Sequence, residues 1–562
     1  MLCTKNYREF EVIDTENCFK TLHSFEGALL ANKCLPGDTV QFSENKISLV
    51  KRAEHKNIVG VIELTSKYRY GMTSRGVPLY LFVPNQKKYP PFIVGCSEKD
   101  LSVNRIGIIN FEKWDDTSQF PRGNLVKILG VSGNVCDEKN ALIHEASPLN
   151  WKGGDIMYDI VITDYKERNC IQGYTFNIDP DGCKDIDDAI TILNITPDTN
   201  KLWQITISIA DVAAAVTYDS EIDKKARQIS QTLYDRSGNV IKPMLPPTIS
   251  ESYCSLLENT IRHCVSLTFI WDNETAAIVP GMTFSESIIK NNKSWTYDTI
   301  YNCSYSTILK NISSHLEKEE IHDSHKWVES LMKLYNTEAA KIFKKYGIGI
   351  LRRHSAPNYE KLQKYNSWDK SLSILAQHSA EYCHSSDENT VHYGLEENAY
   401  CHITSPIRRY ADLLNQRLLK SIIIGEIPFG SAHKEHIYSL NERNKQIKKF
   451  GRDILYLSAI ETKNKKIMVG RILEIKYSLA TKDVIKLKIF VTDWNQIISV
   501  RLPLHIHSYN EDENRVVYIS NDANDENNII LCEGDIICFN YTFNLNERYF
   551  KDRIILEIIS KQ

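Results

Sequence analysis

The segment Asn177–Ile190 reads Asn-Ile-Asp-Pro-Asp-Gly-Cys-Lys-Asp-Ile-Asp-Asp-Ala-Ile and sets Asp179, Asp185, Asp187 and Asp188 around a Pro-Gly break. Carboxylates this close repel one another, and a hard divalent cation relieves the repulsion because carboxylate oxygens suit Mg²⁺ or Mn²⁺. Mg²⁺ is commonly held by a few carboxylates plus substrate phosphate, so phosphoryl transfer is the chemistry such a cluster serves. Two such ions about 3.5–4 Å apart activate a water and stabilise the leaving oxygen of an in-line displacement. A calcium loop of EF-hand type starting at Asp179 is excluded. It needs an acid or amide at its fifth place, Gly at its sixth and Glu at its twelfth, where this chain has Cys183, Lys184 and Ile190. The plain alternative is a solvated acidic turn.

The acids must be held by the elements around them. β-prone runs flank the cluster, Tyr174 to Ile178 before it and Ala189 to Ile195 after it, which predicts a loop and strand edge inside a sheet. The run Ile-Asp-Pro-x-Gly-Cys-x-Asp-Ile-Asp-Asp-Ala resembles the signature of the RNase II / RNB exoribonucleases, especially the branch containing the exosome's catalytic subunit. The resemblance continues in order through Ile209-Ala210-Asp211-Val212, Ser220 to Tyr234, Pro243-Met244-Leu245-Pro246, Cys254-Ser255-Leu256 and Thr404-Ser405-Pro406-Ile407-Arg408-Arg409-Tyr410.

That resemblance implies roles for particular residues. Asp179, Asp185, Asp187 and Asp188 would hold the metal, with Asp187 at the reacting phosphate. Pro406 can open a helix, which would put Arg408 in its first turn beside free N–H groups that attract phosphate. The guanidinium there would grip a phosphate bidentately and stabilise developing charge. Tyr234 and Tyr297 fall at the register of family tyrosines along the nucleotide path, and stacking on an aromatic ring is worth about 1–3 kcal/mol per base. Arg409 would touch substrate or serve as a salt-bridge partner.

Departures accompany the match. The family's pair of glutamates reads Glu329-Ser330 here, the segment Asp235 to Lys242 is longer than usual, and Gly451 stands where relatives often carry an acid. His402 is left outside the site, since two-metal hydrolysis needs no histidine. The basic run Arg443, Lys445, Lys448, Lys449 and Arg452 is by default a solvated helix face, and within the family a weak phosphate contact.

At 562 residues the chain predicts three or four domains. The expected fold is multidomain α/β and β: cold-shock-type OB barrels over 1–75 and 76–167, a mixed α/β RNB catalytic domain over 168–466, and a C-terminal OB barrel over 467–562. No long helical periodicity stands out from Thr21 to Pro148, and Tyr68, Arg69, Tyr70 and Arg75 are candidate strand contacts there. Helices are predicted near Ile222 to Gln231, Lys326 to Lys345 and Pro406 to Ile424, and an acidic surface loop over Tyr509 to Asn528. An N-terminal endonuclease domain of the PIN kind has no room.

Hydrophobic residues at 42% and charged ones at 25% are ordinary for a soluble protein. No apolar run is long enough for a bilayer, and charges within Met1 to Val12 disfavour a signal peptide. The 14 cysteines contain no C-x-x-C pair and fit a reducing compartment, cytoplasm or nucleus. Net charge is −3, so any nucleic-acid path is a local stripe. The resemblance implies a monomeric, Mg²⁺- or Mn²⁺-dependent 3′-to-5′ exoribonuclease that hydrolyses single-stranded RNA to nucleoside 5′-monophosphates. Its rivals are a catalytically inactive RNA-binding regulator and a structural subunit of a decay assembly.

Overall fold

The computed structural model describes residues 1–14, 20–27, 31–43, 46–151, 168–235, 237–426, 433–461, 467–477, 485–502, 507–510, 515–519, 528–544, 547 and 553–562. They form two compact units, one of Met1–Pro148 with Lys445–Gln562, the other Leu149–Asn444.

The second unit carries the acidic segment. Its sheet has seven strands in the order Asn169–Cys170, Ala277–Lys290, Ile261–Asp272, Leu202–Ala210, Asp188–Asn194, Tyr174–Asp179, Lys293–Thr296. Alternation in Leu202–Ala210 explains its placement, because successive side chains point to opposite faces. Ile205, Ile207 and Ile209 join Val265, Leu267 and Phe269 in a core with residues of the helices Ser306–Glu317 and Ser324–Tyr346. The intervening Thr206 and Ser208 face the other way and bond across strands, Thr206 to Thr268 at 3.0 Å and Ser208 to Ser266 at 2.8 Å. Ser266 continues to Ser287 at 2.5 Å. These hydroxyls are satisfied pairwise, so burying them costs little. A second core gathers Ile222, Ala226 and Ile229 of the helix Glu221–Ile229, Met244, Leu245, and Leu413 and Leu414 of the helix Tyr410–Ile423.

The first unit is mainly β. Arg122–Val131, Phe92–Gly95, Leu79–Pro84, Ile58–Ile62 and Arg105–Lys113 close into a barrel, cored by Phe82, Phe92, Val94 and Ile109. Gly60 is required there, since a Cβ at this position would collide with the Val83 carbonyl oxygen and the Phe82 ring. Ile58–Ile62 joins this barrel although it precedes the division expected at 75/76, because it pairs with both Leu79–Pro84 and Arg105–Lys113. The helix Val135–Ala146 interrupts the expected all-β stretch. Asn134 caps it by accepting from the Asp137 N–H at 3.2 Å, and Val59, Ile106, Ile108 and Ala141 form a small core there. A five-stranded C-terminal sheet runs Gln496–Leu502, Ile485–Val491, Met468–Tyr477, Ile536–Phe543, Ile554–Lys561.

The predicted loop over Tyr509 to Asn528 contains paired strands, His507–Asn510 with Arg515–Tyr518; its residues 511–514 and 520–527 lie outside the described residues, as do 152–167 and 462–466 around two expected domain limits. Among the described residues, no helix is long and apolar enough to cross a membrane.

Candidate active site

The acids gather at one end of the sheet because two neighbouring strands meet there. Tyr174–Asp179 ends on Asp179 and Asp188–Asn194 begins on Asp188, with Phe176 opposite Ile190 in antiparallel register. Between them Pro180 to Cys183 makes a tight turn, the Cys183 N–H donating to the Pro180 carbonyl at 3.1 Å. Gly182 sits at its third position with φ +76, a conformation glycine adopts without strain. Ser255 then fastens the loop: its Oγ donates to the Lys184 carbonyl at 2.7 Å and accepts from the Ile186 N–H at 3.0 Å.

Each aspartate meets a different environment. The Asp187 carboxylate, 3% exposed, accepts from the Ile407 N–H at 2.9 Å and from Arg408 Nε at 3.0 Å. Burial pushes its pKa up to about 7, opposed by the Arg408 charge. Asp185 accepts from the Tyr234 hydroxyl at 2.6 Å and lies 3.6 Å from Cys183 Sγ. Asp179 accepts from Asn177 Nδ2 at 2.9 Å. The Asn177 amide is itself oriented, its Oδ1 accepting from Asn291 at 2.8 Å and Ser294 at 2.7 Å. Asp188 makes no side-chain hydrogen bond among the described residues, and burial together with the charges of Asp179 and Asp187 pushes its carboxyl well up. Burial likewise raises Asp179.

Four carboxylates gathered at one sheet end, three with hydrogen-bond partners and Asp188 with none among the described residues, are oxygen donors of the kind a hard divalent cation takes. The four do not yet close on one point, however. Among the described residues the only three ligand atoms within 4.8 Å of one another belong to a different trio, His433, Glu435 and His436. Arg408 and the Ile407 N–H occupy both oxygens of Asp187 instead.

Arg408 does not lie in a helix. The helix begins at Tyr410, and Ser405–Arg409 forms a turn in which the Arg408 and Arg409 N–H groups both donate to the Ser405 carbonyl, at 3.2 and 3.0 Å. The expected start at Pro406 fails because Arg409 is extended, φ −134 and ψ 125, and bridges Gln231. Arg408 spans Asp187 and Ser405 Oγ, 3.0 Å to each, and its side chain remains 44% exposed. Arg409 pairs with Asp412 at 2.8 Å, so its guanidinium already has a structural partner.

Tyr297 stacks on His325, ring centroids 3.8 Å apart and planes 9° from parallel. The hydroxyls of Tyr234 and Tyr297 are both pushed up, first by burial and then by aspartates of the cluster. His325 escaped sequence reasoning, since its stack is made across the Tyr297–Ser324 junction, where Ser324 Oγ donates to the Tyr297 carbonyl at 2.7 Å. Asn177 and Ser255 escaped too, although both lie within or beside the matched runs. At Glu329-Ser330, Glu329 pairs with Lys326 at 2.7 Å and Lys333 at 3.0 Å, while Ser330 is buried and donates to the Trp327 carbonyl. His402 is half-buried against Tyr382, its pKa held well below the ordinary value chiefly by desolvation. Of the basic run, Arg443 is buried with Nε on the Ile229 carbonyl, and Lys449 pairs with Glu145 and Asp453. Those two are not a solvated face.

Carboxylates at a sheet end beside a half-exposed arginine are an arrangement whose chemistry can accept a cation and a phosphate-bearing substrate. The RNB domain matches residues 167–314 and 302–425, and Dis3-like cold-shock domain 2 matches 79–147. The chain therefore carries an RNB domain and a Dis3-like cold-shock domain. It is 24% identical to the exosome complex exonuclease RRP44 of Mus musculus over 73% of its own length and 53% of that protein's. With ribonuclease R of Buchnera aphidicola it shares 25% identity over 62% of its length and 59% of the relative's; the chain thus spans about half the length of such curated relatives. The fold is similar to the apo form of Mycoplasma genitalium RNase R, TM-score 0.71 at 18% identity with 100% of each chain covered. It is equally similar to yeast Ssd1, a pseudonuclease, TM-score 0.71 at 13% identity over 100% of this chain and 96% of that one.

Proposed function

We propose that this protein is a divalent-metal-dependent exoribonuclease that hydrolyses single-stranded RNA from its 3′ end to nucleoside 5′-monophosphates. The observation that carries the reading is the presence, at one sheet end, of Asp179, Asp187 and Asp188 with raised carboxyl pKa values beside Arg408. A raised, desolvated carboxylate cluster is costly unless a cation compensates it, and such cost concentrates where chemistry needs it. Asp179, Asp185, Asp187 and Asp188 are the residues that would hold Mg²⁺ or Mn²⁺, which when bound supplies an activated water and charge neutralisation at phosphate.

The chain's own groups do the rest. Arg408, gripped on one side by Asp187 and Ser405, offers its remaining N–H donors to a phosphate oxygen and stabilises charge that builds up there. Tyr234, anchored to Asp185 through its hydroxyl, would stack a base on its ring, and Tyr297 with His325 would form a second stacking platform. The barrel of Ile58–Val131 and the C-terminal sheet fit a role in guiding the strand.

A second reading, an inactive RNA-binding protein, is favoured by one observation: Asp187 is satisfied by Arg408 and Ile407 instead of meeting the other acids. Incubation of the full chain with 5′-labelled single-stranded RNA, with Mg²⁺ and with EDTA, separates the two. Metal-dependent shortening from the 3′ end supports the nuclease; RNA that is bound and left intact supports the regulator.

A further inference from the structure

Outside the acidic centre, three ligand-bearing side chains converge just before the long helix Ile437–Glu461. His433, Glu435 and His436 each offer one ligand atom, and these atoms lie within 4.8 Å of one another. They sit on a single 3-10 turn, Lys434–His436, entered through His433 at φ +66 and ψ 8, with the His436 N–H donating to the His433 carbonyl at 3.1 Å. That left-handed entry brings the two imidazoles onto one side, ring centroids 5.7 Å apart and planes 26° from parallel. His436 Nε2 and Glu435 Oε1 are 3.3 Å apart, the separation of about 3.3–3.4 Å that two ligands show around a tetrahedral ion with bonds of about 2.0–2.1 Å.

The surroundings suit a cation. Burial keeps His433 neutral, its pKa lowered to about 4, and lowers His436 as well; neutral imidazole is the ligating form. Two of the nearby positive charges are already matched. Arg417, over the Tyr218 ring at 5.4 Å, pairs with Asp223 at 2.7 Å, and Arg227 pairs with Asp219 at 3.2 Å. Tyr218 completes the surround, its hydroxyl 3.3 Å from His436 Nε2 and its ring 5.4 Å from that of His433. The Glu435 side chain, 61% exposed, leaves the outer side open to solvent and ion entry.

We propose that His433, Glu435 and His436 form a second metal site, for a borderline transition-metal ion of the zinc type, which fixes the turn that opens the helix Ile437–Glu461. Two imidazoles and one carboxylate select this class over Mg²⁺ or Ca²⁺, which take oxygen ligands. The site uses none of the acidic centre's residues, so it stands or falls independently of the nuclease reading.

The test uses the full chain stripped with EDTA and titrated with Co²⁺ in excess Mg²⁺, which occupies carboxylate sites. Tetrahedral Co²⁺ absorbs visible light far more strongly than the octahedral ion that oxygen ligands give. One equivalent of intensely absorbing Co²⁺, displaced by Zn²⁺, is expected. His433→Ala and His436→Ala should lose the band, and Asp188→Asn should keep it. Glu435→Gln alters an exposed side chain and spares folding, and should weaken Co²⁺ binding at least about tenfold. Zn²⁺ should raise the melting temperature of the parent chain and leave that of His433→Ala unchanged. No intense band, a band that persists in both histidine variants or is unweakened in Glu435→Gln, or one lost with Asp188→Asn, would overturn the proposal.

Discussion

Asp187 and Arg408 form an ion pair whose two members face different media: the carboxylate is 3% exposed, the guanidinium side chain 44%. The acid is therefore locked while the base can still reach a phosphate. Arg408→Ala should lower kcat by about 10²–10³, the usual cost of one electrostatic contact made in the transition state, with KM changing far less. Single-turnover rates at saturating RNA measure this; a uniform loss of affinity with kcat intact would make Arg408 a positioning contact. Asp187→Asn should abolish turnover while leaving RNA binding in a gel-shift assay unchanged. Wild-type turnover in that variant, or in EDTA, would end the metal-dependent reading.

At the level of the element, the sheet sets the site and the loop tunes it. Ile207 is fully buried between strands and helices, so Ile207→Ala should cost about 2–5 kcal/mol of stability, read as a fall in the urea midpoint. Ser255→Ala removes the hydroxyl that fastens Lys184 and Ile186. It should reduce kcat with little change in melting temperature, because the hydrogen bonds of one serine are worth only about 1–2 kcal/mol. Histidines make the folded state acid-sensitive. His392 and His433 are both lowered to about 4, chiefly by burial, against about 6.5 in an unfolded chain. Below pH 6.5 the unfolded state takes up protons that the folded state refuses, so their contribution is intact above pH 6.5 and falls away towards pH 4. The urea midpoint should fall between pH 7 and pH 5, and less steeply in His392→Asn.

For the whole molecule, directional degradation is the discriminating behaviour. A 5′-labelled linear RNA should shorten to a small residual oligomer, whereas a circular RNA of the same sequence should remain intact; internal cuts in the circle would refute an exonuclease. DNA should be a poor substrate if ribose hydroxyls are read. Tyr234→Ala should change the length of the residual oligomer, since the last bases lose one stacking face. An unaltered end product would remove Tyr234 from the nucleotide path.

The spacing of Asp179, Asp185, Asp187 and Asp188 between two β-prone runs was enough to predict a strand-edge acidic site, because alternation and turn chemistry are local properties of the chain. The helices Glu221–Ile229 and Ser324–Tyr346 were legible for the same reason. What was not legible depends on partners distant in sequence. Arg408 meets Asp187 across 221 residues and Asn177 meets Asn291 across 114; no local pattern encodes either. The helix expected at Pro406 starts at Tyr410 because Arg409 is drawn into a bridge with Gln231, a tertiary bond overriding a favourable helix opening. Which carboxylate is sealed by an arginine, which is held by a tyrosine and which has no side-chain hydrogen bond among the described residues are decided only once the strands have come together.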